Sequence, residues 1–511
     1  MEVINSFMTW VLKNRIGQIE NFKKNPIAVQ EALLEELLDT AKRTVFGKKY
    51  GFAEISTYQE FAQRVPVADY EKYQPTFERI LKGEQDLLWP TEIEWFSKSS
   101  GTTSSRSKFI PVSQEALEEC HFKAGKDMLS LYINKYPDTK LFTGKSLSIG
   151  GSLSNNPIDP TSPIQVGDIS AVIMENLPLW VQFARTPGLE VALMPEWESK
   201  IEAMARECME ENVTSIAGVP TWTIVLIKKI LELSGKDNIL QVWPNLEVFF
   251  HGAVAFGPYR KLFESLIPSP KMRYMETYNA SEGFFAIQDQ KNSDELLLML
   301  DYGIFYEFIP MEEWEKEDPI VVPLAGVEVG KNYAVVISTN AGLWRYKIGD
   351  TVKFTSASPY RLKISGRTKH FINAFGEEVI VENAEQAIAK AADLTDAIIK
   401  NFSAAPVYFG ESQDRAAHEW IVEFEKMPDS HERFTQILDQ TLREINSDYD
   451  AKRHKDLALV SPKVHFVGEG LFEKWLKSKG KLGGQNKVPR LSNTREHLEE
   501  LLRLIPEGKG L

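Results

Sequence analysis

VTSIAGVPTWTIVLIKKILELSG, residues 213–235, is the stretch from which the fold is read. VTSIAGV is a short run of β-branched and small apolar residues, the composition of a strand. PTWTIVLIKKILELSG then repeats apolar residues at helical spacing. The same alternation extends on both sides. KSLSIGG (145–151), GLEVALM (188–194), LEVFFHG (246–252) and KMRYMETY (271–278) read as strands, and ESKIEAMARECMEEN (198–212) reads as a helix. Strands alternating with helices of about 10–15 residues predict a largely parallel sheet covered by helices.

Further out the pattern changes. Residues 1–90 are mainly helical, with a clear 3.6 period in IAVQEALLEELLDTAK (27–42). The first 22 residues form an amphipathic pattern, interrupted too often for a signal peptide, that suits packing on the protein's own core better than lying on a membrane surface, the alternative. Between 295 and 356 strand follows strand, which predicts an antiparallel or barrel-like portion. TSASPYRLKISG (355–366) is rich in Ser, Gly and Pro and marks a domain boundary. Beyond it ENAEQAIAKAA, IVEFE, HERFTQILDQTLREIN and KVHFVGEG alternate helix and strand. The expected fold is α/β: a large N-terminal domain over 1–365, with mixed and parallel sheets plus the barrel-like portion, and a smaller α+β domain over 366–511.

Composition excludes several classes. The 511 residues are 43% hydrophobic and 26% charged, ordinary for a folded chain. The formal charge of −13 argues against a nucleic-acid binder, whose affinity rests on phosphate contacts. No window reaches the ~18 apolar residues of a membrane span. Cys120 and Cys208 are the only cysteines, so there is no disulfide framework, and the expected compartment is the reducing cytoplasm. Over 463–490 seven cations stand against Glu469 and Glu473, a local excess of five positive charges. A solvated basic face and an anion-binding segment both fit that run.

Four short motifs carry chemistry. Ser99-Ser100-Gly101-Thr102-Thr103-Ser104-Ser105-Arg106-Ser107-Lys108 lies between the strand-like TEIEWFSK and FIPVS. Gly101 allows close backbone approach, successive N–H groups can form an anion nest, and Lys108 adds charge. It is no Walker A loop, since GxxxxGK[ST] is absent. Tyr274–Gly283 ends a strand in a turn carrying Tyr278, Ser281 and Glu282. Tyr278 could stack on a purine and Glu282 could bind Mg²⁺ through oxygen; an ordinary turn with a solvated Glu has the same look. Leu343–Asp350 places Asp350 at a strand end beside Gly349, able to accept hydrogen bonds from ribose or merely to make a turn. Ile364–Lys369 sits at the boundary and offers Arg367 as a movable cation.

In this order the motifs resemble those of the adenylate-forming superfamily of acyl-CoA synthetases, peptide-synthetase adenylation domains and luciferases. Over essentially the whole chain they look most like the acyl-acid–amido synthetases, the auxin-responsive Gretchen Hagen three family, in a bacterial-type version. Residues 99–108 match the family's Ser-Ser-Gly-Thr-Ser-x-Gly-x-x-Lys except at Ser105. Tyr278 to Glu282 match its Tyr-x-x-Ser-Glu turn, and Tyr346 to Asp350 match Tyr-Arg-x-Gly-Asp with Lys347 for Arg.

The resemblance implies roles. Ser99, Ser100, Gly101, Thr102, Thr103 and Lys108 would cradle ATP phosphates. His251-Gly252-Ala253 and Ala280 would provide nucleotide-contacting backbone, with Tyr278 flanking the adenine. Ser281 would lie near the α-phosphate, Glu282 would hold Mg²⁺, and Asp350 would hold the ribose. Arg367 would sit near the nucleotide. Lys487, behind the flexible Gly483-Gly484, would be the mobile lysine of adenylation. Val219, Pro220, Thr221 and Trp222 would line the acyl pocket, though Trp222 serves equally as core.

The implied reaction has two halves. A carboxylate attacks the α-phosphorus of ATP to give acyl-AMP and pyrophosphate. An amine, expected to be an amino acid, then attacks the acyl carbonyl to form an amide. An acyl-CoA synthetase shares the first half, so the ATP motifs do not exclude it. An inactive acyl- or nucleotide-binding module is the remaining alternative, against which Glu282, Asp350 and Lys487 together argue.

Overall fold

A computed structural model of the protein describes Leu12 and residues 15–99, 108–254, 256–314, 316, 318–368, 371–408, 416–456, 458–478 and 489–505. Of the predicted N-terminal amphipathic segment, Leu12 and residues 15–22 are described; they are helical and bury Leu12, Ile19 and Phe22.

The centre of the molecule is a twelve-stranded sheet. Its first half is parallel, as the alternation predicts. β3 (Lys145–Ser148), β4 (Val213–Gly218), β5 (Val248–His251) and β6 (Arg273–Ala280) lie side by side in that order. The second half is antiparallel, as expected where strand follows strand. β7 (Gly283–Ile287) turns back from β6 and is followed across the sheet by β8 (Leu296–Leu298) and then by three longer strands paired in reverse chain order. These are β12 (Tyr360–Arg367), β11 (Tyr346–Ala357) and β10 (Asn332–Thr339), with β9 (Ile304–Pro310) beyond them. A separate small sheet contains β1 (Trp95–Ser99) and β2 (Lys108–Val112), paired antiparallel.

Helices cover the sheet where apolar periodicity places them. α1 (Pro26–Ala41) buries Leu34, Leu37, Leu38 and Ala41, a single stripe. α2 (Tyr70–Leu81) is capped by the Asp69 carboxylate and buries Tyr70, Tyr73 and Phe77. α3 (Trp197–Met209) and α4 (Pro220–Ser234) pack on the parallel half, with Pro220 at the first turn of α4 and left-handed Gly235 closing it. After β12 come α5 (Val381–Leu394), β13 (Ile398–Val407), β14 (Ala417–Lys426), α6 (His431–Ile445), α7 (Ser447–Arg453) and β15 (Lys463–Gly468). β13 pairs antiparallel with β14, and β14 pairs parallel with β15. One apolar cluster joins Ile224, Ile227 and Phe249 with Ile372, Phe375 and Trp420, so this later part shares a core with the parallel half. Both cysteines are buried, and burial pushes each thiol up to about 12. Among the described residues no helix is long and apolar enough to cross a membrane.

Two expectations need correction. GLEVALM is not a strand: Leu189–Ala192 form a single helical turn. The sheet ends at the short edge strand 185–186, and the Glu207 carboxylate, which accepts from Gly188 N–H at 2.6 Å, ties the chain to α3 instead. Asp350 does not end a strand but lies inside β11, where Gly349 (φ 89°) bends the backbone. The Ser- and Pro-containing stretch 355–366 forms the β11–β12 hairpin, with Tyr360 and Leu362 buried, so the sheet continues to Arg367.

Arg345, inside the third motif, fixes where β11 begins. Its guanidinium pairs with buried Glu307 at 2.9 Å and donates to Ala62 O (2.8 Å) and Val65 O (2.7 Å). Glu307 is fully buried and Arg345 is 5% exposed. Removing one partner of a buried pair strands the other charge, at a cost of about 3–5 kcal/mol. Arg345→Met should therefore lower the urea midpoint of unfolding well below that of the wild type. An unchanged midpoint would mean Tyr58, which also donates to Glu307 (2.9 Å), suffices alone.

Candidate active site

The parallel strands bring three of the motifs to one edge. Gly218, His251 and Glu276 lie in register across β4, β5 and β6, and β6 runs four residues further. Their carboxyl ends therefore carry Val219–Trp222, His251–Ala253 and Ala280–Glu282 at the sheet edge where open α/β folds bind ligands.

The first motif spans the β1–β2 hairpin. Ser99 pairs directly with Lys108, which sets the two ends of the connecting loop. The loop itself, with Ser100, Gly101, Thr102 and Thr103, lies outside the described residues. Lys108 is 6% exposed, and its ammonium stands 5.4 Å from the ring centroid of Tyr70. Tyr70 in turn accepts a hydrogen bond from Phe109 N–H at 3.0 Å, so α2 clamps the hairpin.

Ala280 pairs with Gly283, which leaves Ser281 and Glu282 as a two-residue turn. A Cβ at Gly283 would lie 2.6 Å from Ile304 Cδ1, so Ile304 packs directly over the turn. The Tyr346 hydroxyl donates to the Glu282 carboxylate at 3.4 Å. Burial pushes the Glu282 carboxyl above its ordinary value, while the charges of Lys108 and Arg367 act the other way.

Asp350 is the hub of a chain of polar groups. The Tyr278 hydroxyl donates to one carboxylate oxygen at 2.9 Å, and Arg367 Nε donates to the other at 2.8 Å. Arg367 also pairs with Glu378 and lies over the Phe371 ring, 5.4 Å from its centroid. A carboxylate has about four acceptor positions, so Asp350 keeps capacity for a ligand. Beside this chain opens a cleft of about 750 Å³, counted to its mouth, lined by Lys108, Gly349 and Arg367. Tyr70, Lys347 and Thr368 line it too. The motif reading missed those three, and Glu378 as well. Lys347 stood inside a recognised motif, whereas nothing local marks Glu378.

The other candidates stand apart from this cleft. His251 is 3% exposed and stacks on Phe256 at 4.0 Å. Burial, with Arg260 assisting, lowers its imidazole to about 3, so the ring is neutral. Gly252 approaches β6 so closely that a Cβ would lie 2.6 Å from Thr277 O, and Ala253 is left-handed (φ 69°). Val219–Trp222 begin α4: Thr221 donates to Phe375 O at 3.4 Å, and Trp222 meets the Trp197 ring at 3.9 Å. Lys487 lies outside the described residues. In the basic run Lys463, Lys477 and Arg490 have carboxylate partners, namely Glu419, Glu473 and Glu385.

The fold is one shared by an amido synthetase and a coenzyme A ligase. The chain superposes on the GH3.15 acyl acid amido synthetase with a TM-score of 0.61 at 18% identity, over 98% of this chain and 96% of that one. It superposes on 2-hydroxyisobutyryl-CoA ligase, solved with 2-HIB-AMP and CoA, with a TM-score of 0.55 at 12% identity, over 94% and 92%. In sequence it is 24% identical to the indole-3-acetic acid-amido synthetase GH3.3 of Arabidopsis thaliana, over 92% of this chain and 90% of that relative. It is 22% identical to the 4-substituted benzoates-glutamate ligase GH3.12 of the same plant, over 95% and 96%. The GH3 family N-terminal, central and C-terminal domain models match residues 15–272, 297–367 and 382–496. The chain belongs to the GH3 family.

Proposed function

We propose that this protein is an acyl-acid–amido synthetase, which adenylates a carboxylic acid with ATP and transfers the acyl group to the amine of an amino acid. What carries this reading is the polar chain Tyr278–Asp350–Arg367, beside a cleft lined by Lys108 and Arg367, in a chain matched by all three GH3 domain models. Lys108 and the 99–103 loop hold the phosphates, Asp350 receives the ribose hydroxyls, and Arg367 places a cation beside the nucleotide. The 251–253 backbone, Ala280 and Ser281 contact the nucleotide from the sheet edge. Glu282 suits Mg²⁺: it is a carboxylate beside a hydroxyl, and Mg²⁺ commonly takes one or two carboxylates with phosphate oxygens and water. When bound, the ion neutralises phosphate charge. Trp222 against Trp197 offers an aromatic wall for the acyl group. Residues 366–511 act as a mobile domain that delivers Lys487 for adenylation. The low cysteine count, with no disulfide framework, supports a reducing compartment, the cytoplasm.

The direct test is acid-dependent ATP–pyrophosphate exchange with a panel of aromatic and indole carboxylic acids, followed by mass spectrometry of products with amino acids and with coenzyme A. Exchange with amide formation is the expected result. Thioester instead of amide, or no exchange with any acid, would overturn it.

Asp350→Asn keeps an acceptor for Tyr278 but discharges the partner of Arg367. A hydrogen bond to a charged group contributes roughly 1.5–3 kcal/mol, so the KM for ATP should rise about tenfold or more. An unchanged KM would reduce Asp350 to a structural residue.

A further inference from the structure

Arg367 is held by carboxylates from two parts of the chain. Its Nε faces Asp350 of β11 at 2.8 Å, and its Nη1 pairs with Glu378. Both acids are buried: Asp350 is 7% exposed and Glu378 4%. Two carboxylates thus share one guanidinium away from water, where an ion pair is felt more strongly than at the surface.

Glu378 reaches Arg367 from a backbone conformation that side chains seldom adopt. Its φ is 39°, in the left-handed region. Such backbone persists where the surroundings fix it, and it collects at working sites. Here the fixing groups are visible. Residues 373–378 form the tip of a small ribbon in which Phe371 and Ile372 pair with Ile380 and Val379. The Tyr259 hydroxyl donates to Ala374 O, and the Thr221 hydroxyl donates to Phe375 O at 3.4 Å. Asn446 Nδ2 donates to Glu378 O at 3.2 Å, while Asn446 Oδ1 accepts from Tyr449 N–H at 2.8 Å. One asparagine therefore ties the backbone of Glu378 to the start of α7. At the open end of the ribbon, Phe371 lies under Arg367 and lines the cleft together with Ile380.

A bound nucleotide acts on the two acids differently. Asp350 is the ribose acceptor of the reading above, and its oxygens already serve Tyr278 and Arg367. Ribose hydroxyls would compete with Arg367 Nε for the same lone pairs. Glu378 meets the guanidinium at Nη1, so its hold does not depend on Asp350. Glu378 also lies beyond residue 365, in the same part of the chain as Arg367, whereas Asp350 does not. We infer that Glu378 is the positioning residue of Arg367: it keeps the guanidinium beside the nucleotide once the ribose has claimed Asp350. The assignment rests on the adenylation reading above and names the residue that governs its cation.

The test is a double-mutant cycle in the full-length enzyme, read by ATP–pyrophosphate exchange with the fastest acid of the panel above. Glu378→Gln keeps the size and an acceptor oxygen but gives up the charge. Its exchange kcat should fall about tenfold or more, the worth of a hydrogen bond to a charged group, with the KM for the carboxylic acid unchanged. Arg367→Met should lose at least as much. The double variant Glu378→Gln/Arg367→Met should lose no more than Arg367→Met alone, because a residue that acts through Arg367 has nothing left to position. A merely structural Glu378 would give additive losses. If Glu378→Gln does not fold, Arg367→Lys replaces it. Lysine keeps the charge but lacks the fork that spans both acids, so the same loss in kcat at unchanged acid KM is expected. Additive losses, wild-type exchange in Glu378→Gln, or wild-type exchange in Arg367→Lys would overturn the assignment and leave the adenylation reading standing. Absence of exchange by the wild type with every acid would overturn that reading, and this inference with it.

Discussion

Lys487→Ala is expected to slow adenylation by roughly 10²–10³-fold, the usual worth of one preorganised charge at a transition state. Aminolysis of preformed acyl-adenylate should slow far less. Negative charge builds on the α-phosphate only while the substrate carboxylate attacks, so a cation delivered there favours that transition state over the ground state. In the second half-reaction the amine attacks a carbonyl, and the charge moves onto the departing phosphate that the 99–108 segment is proposed to hold. Lys487 follows Gly483-Gly484, within a run carrying an excess of cations. Three other cations of that run are spent on Glu419, Glu473 and Glu385, so a basic segment can be purely structural. Single-turnover rates of the two steps decide the matter. Equal slowing of both, or of neither, would remove Lys487 from the chemistry.

Glu282→Ala should reduce Mg²⁺-dependent exchange by about a thousandfold, because metal stabilisation of phosphoryl charge is worth several kcal/mol. The two-residue turn of Ser281 and Glu282 is set by the pairing of Ala280 with Gly283, so truncation at the tip should leave the fold intact. The carboxyl's environment adds a second signature. Burial raises it above the ordinary range, so protonation on lowering the pH begins earlier than for a solvated glutamate. Only the ionised form binds Mg²⁺. The concentration needed for half-maximal exchange should therefore climb as the pH falls, and this climb should be absent from the residual activity of Glu282→Ala. Near-normal exchange in the variant at limiting Mg²⁺ would contradict the assignment.

Much of the sheet is legible in the sequence because strand identity is local: runs such as VTSIAGV and LEVFF announce themselves. GLEVALM has a similar composition yet forms a helical turn, because no sheet edge is available to it beyond 185–186. Local pattern cannot report whether a partner strand exists. Residues 355–366 carry a second non-local feature: despite their Ser and Pro content, Arg361 and Leu362 pair with Leu297 and Leu296, some sixty positions away. The site divides along the same line. Contiguous motifs point to Lys108, Glu282 and Asp350. Arg345 and Glu378 owe their meaning to partners that the fold brings to them, Glu307 and Arg367.

The two sunken thiols have a practical consequence. Thiol reagents attack thiolate, and both cysteines are buried with the thiolate disfavoured at neutral pH. The native chain is thus a silent background for maleimide chemistry, with no cysteine to delete beforehand. A pair of new surface cysteines, one before residue 365 and one after 380, would be the reactive sulfurs of the folded molecule. Dyes placed on them would turn the proposed swing of the C-terminal part into a distance to be measured through a single catalytic cycle.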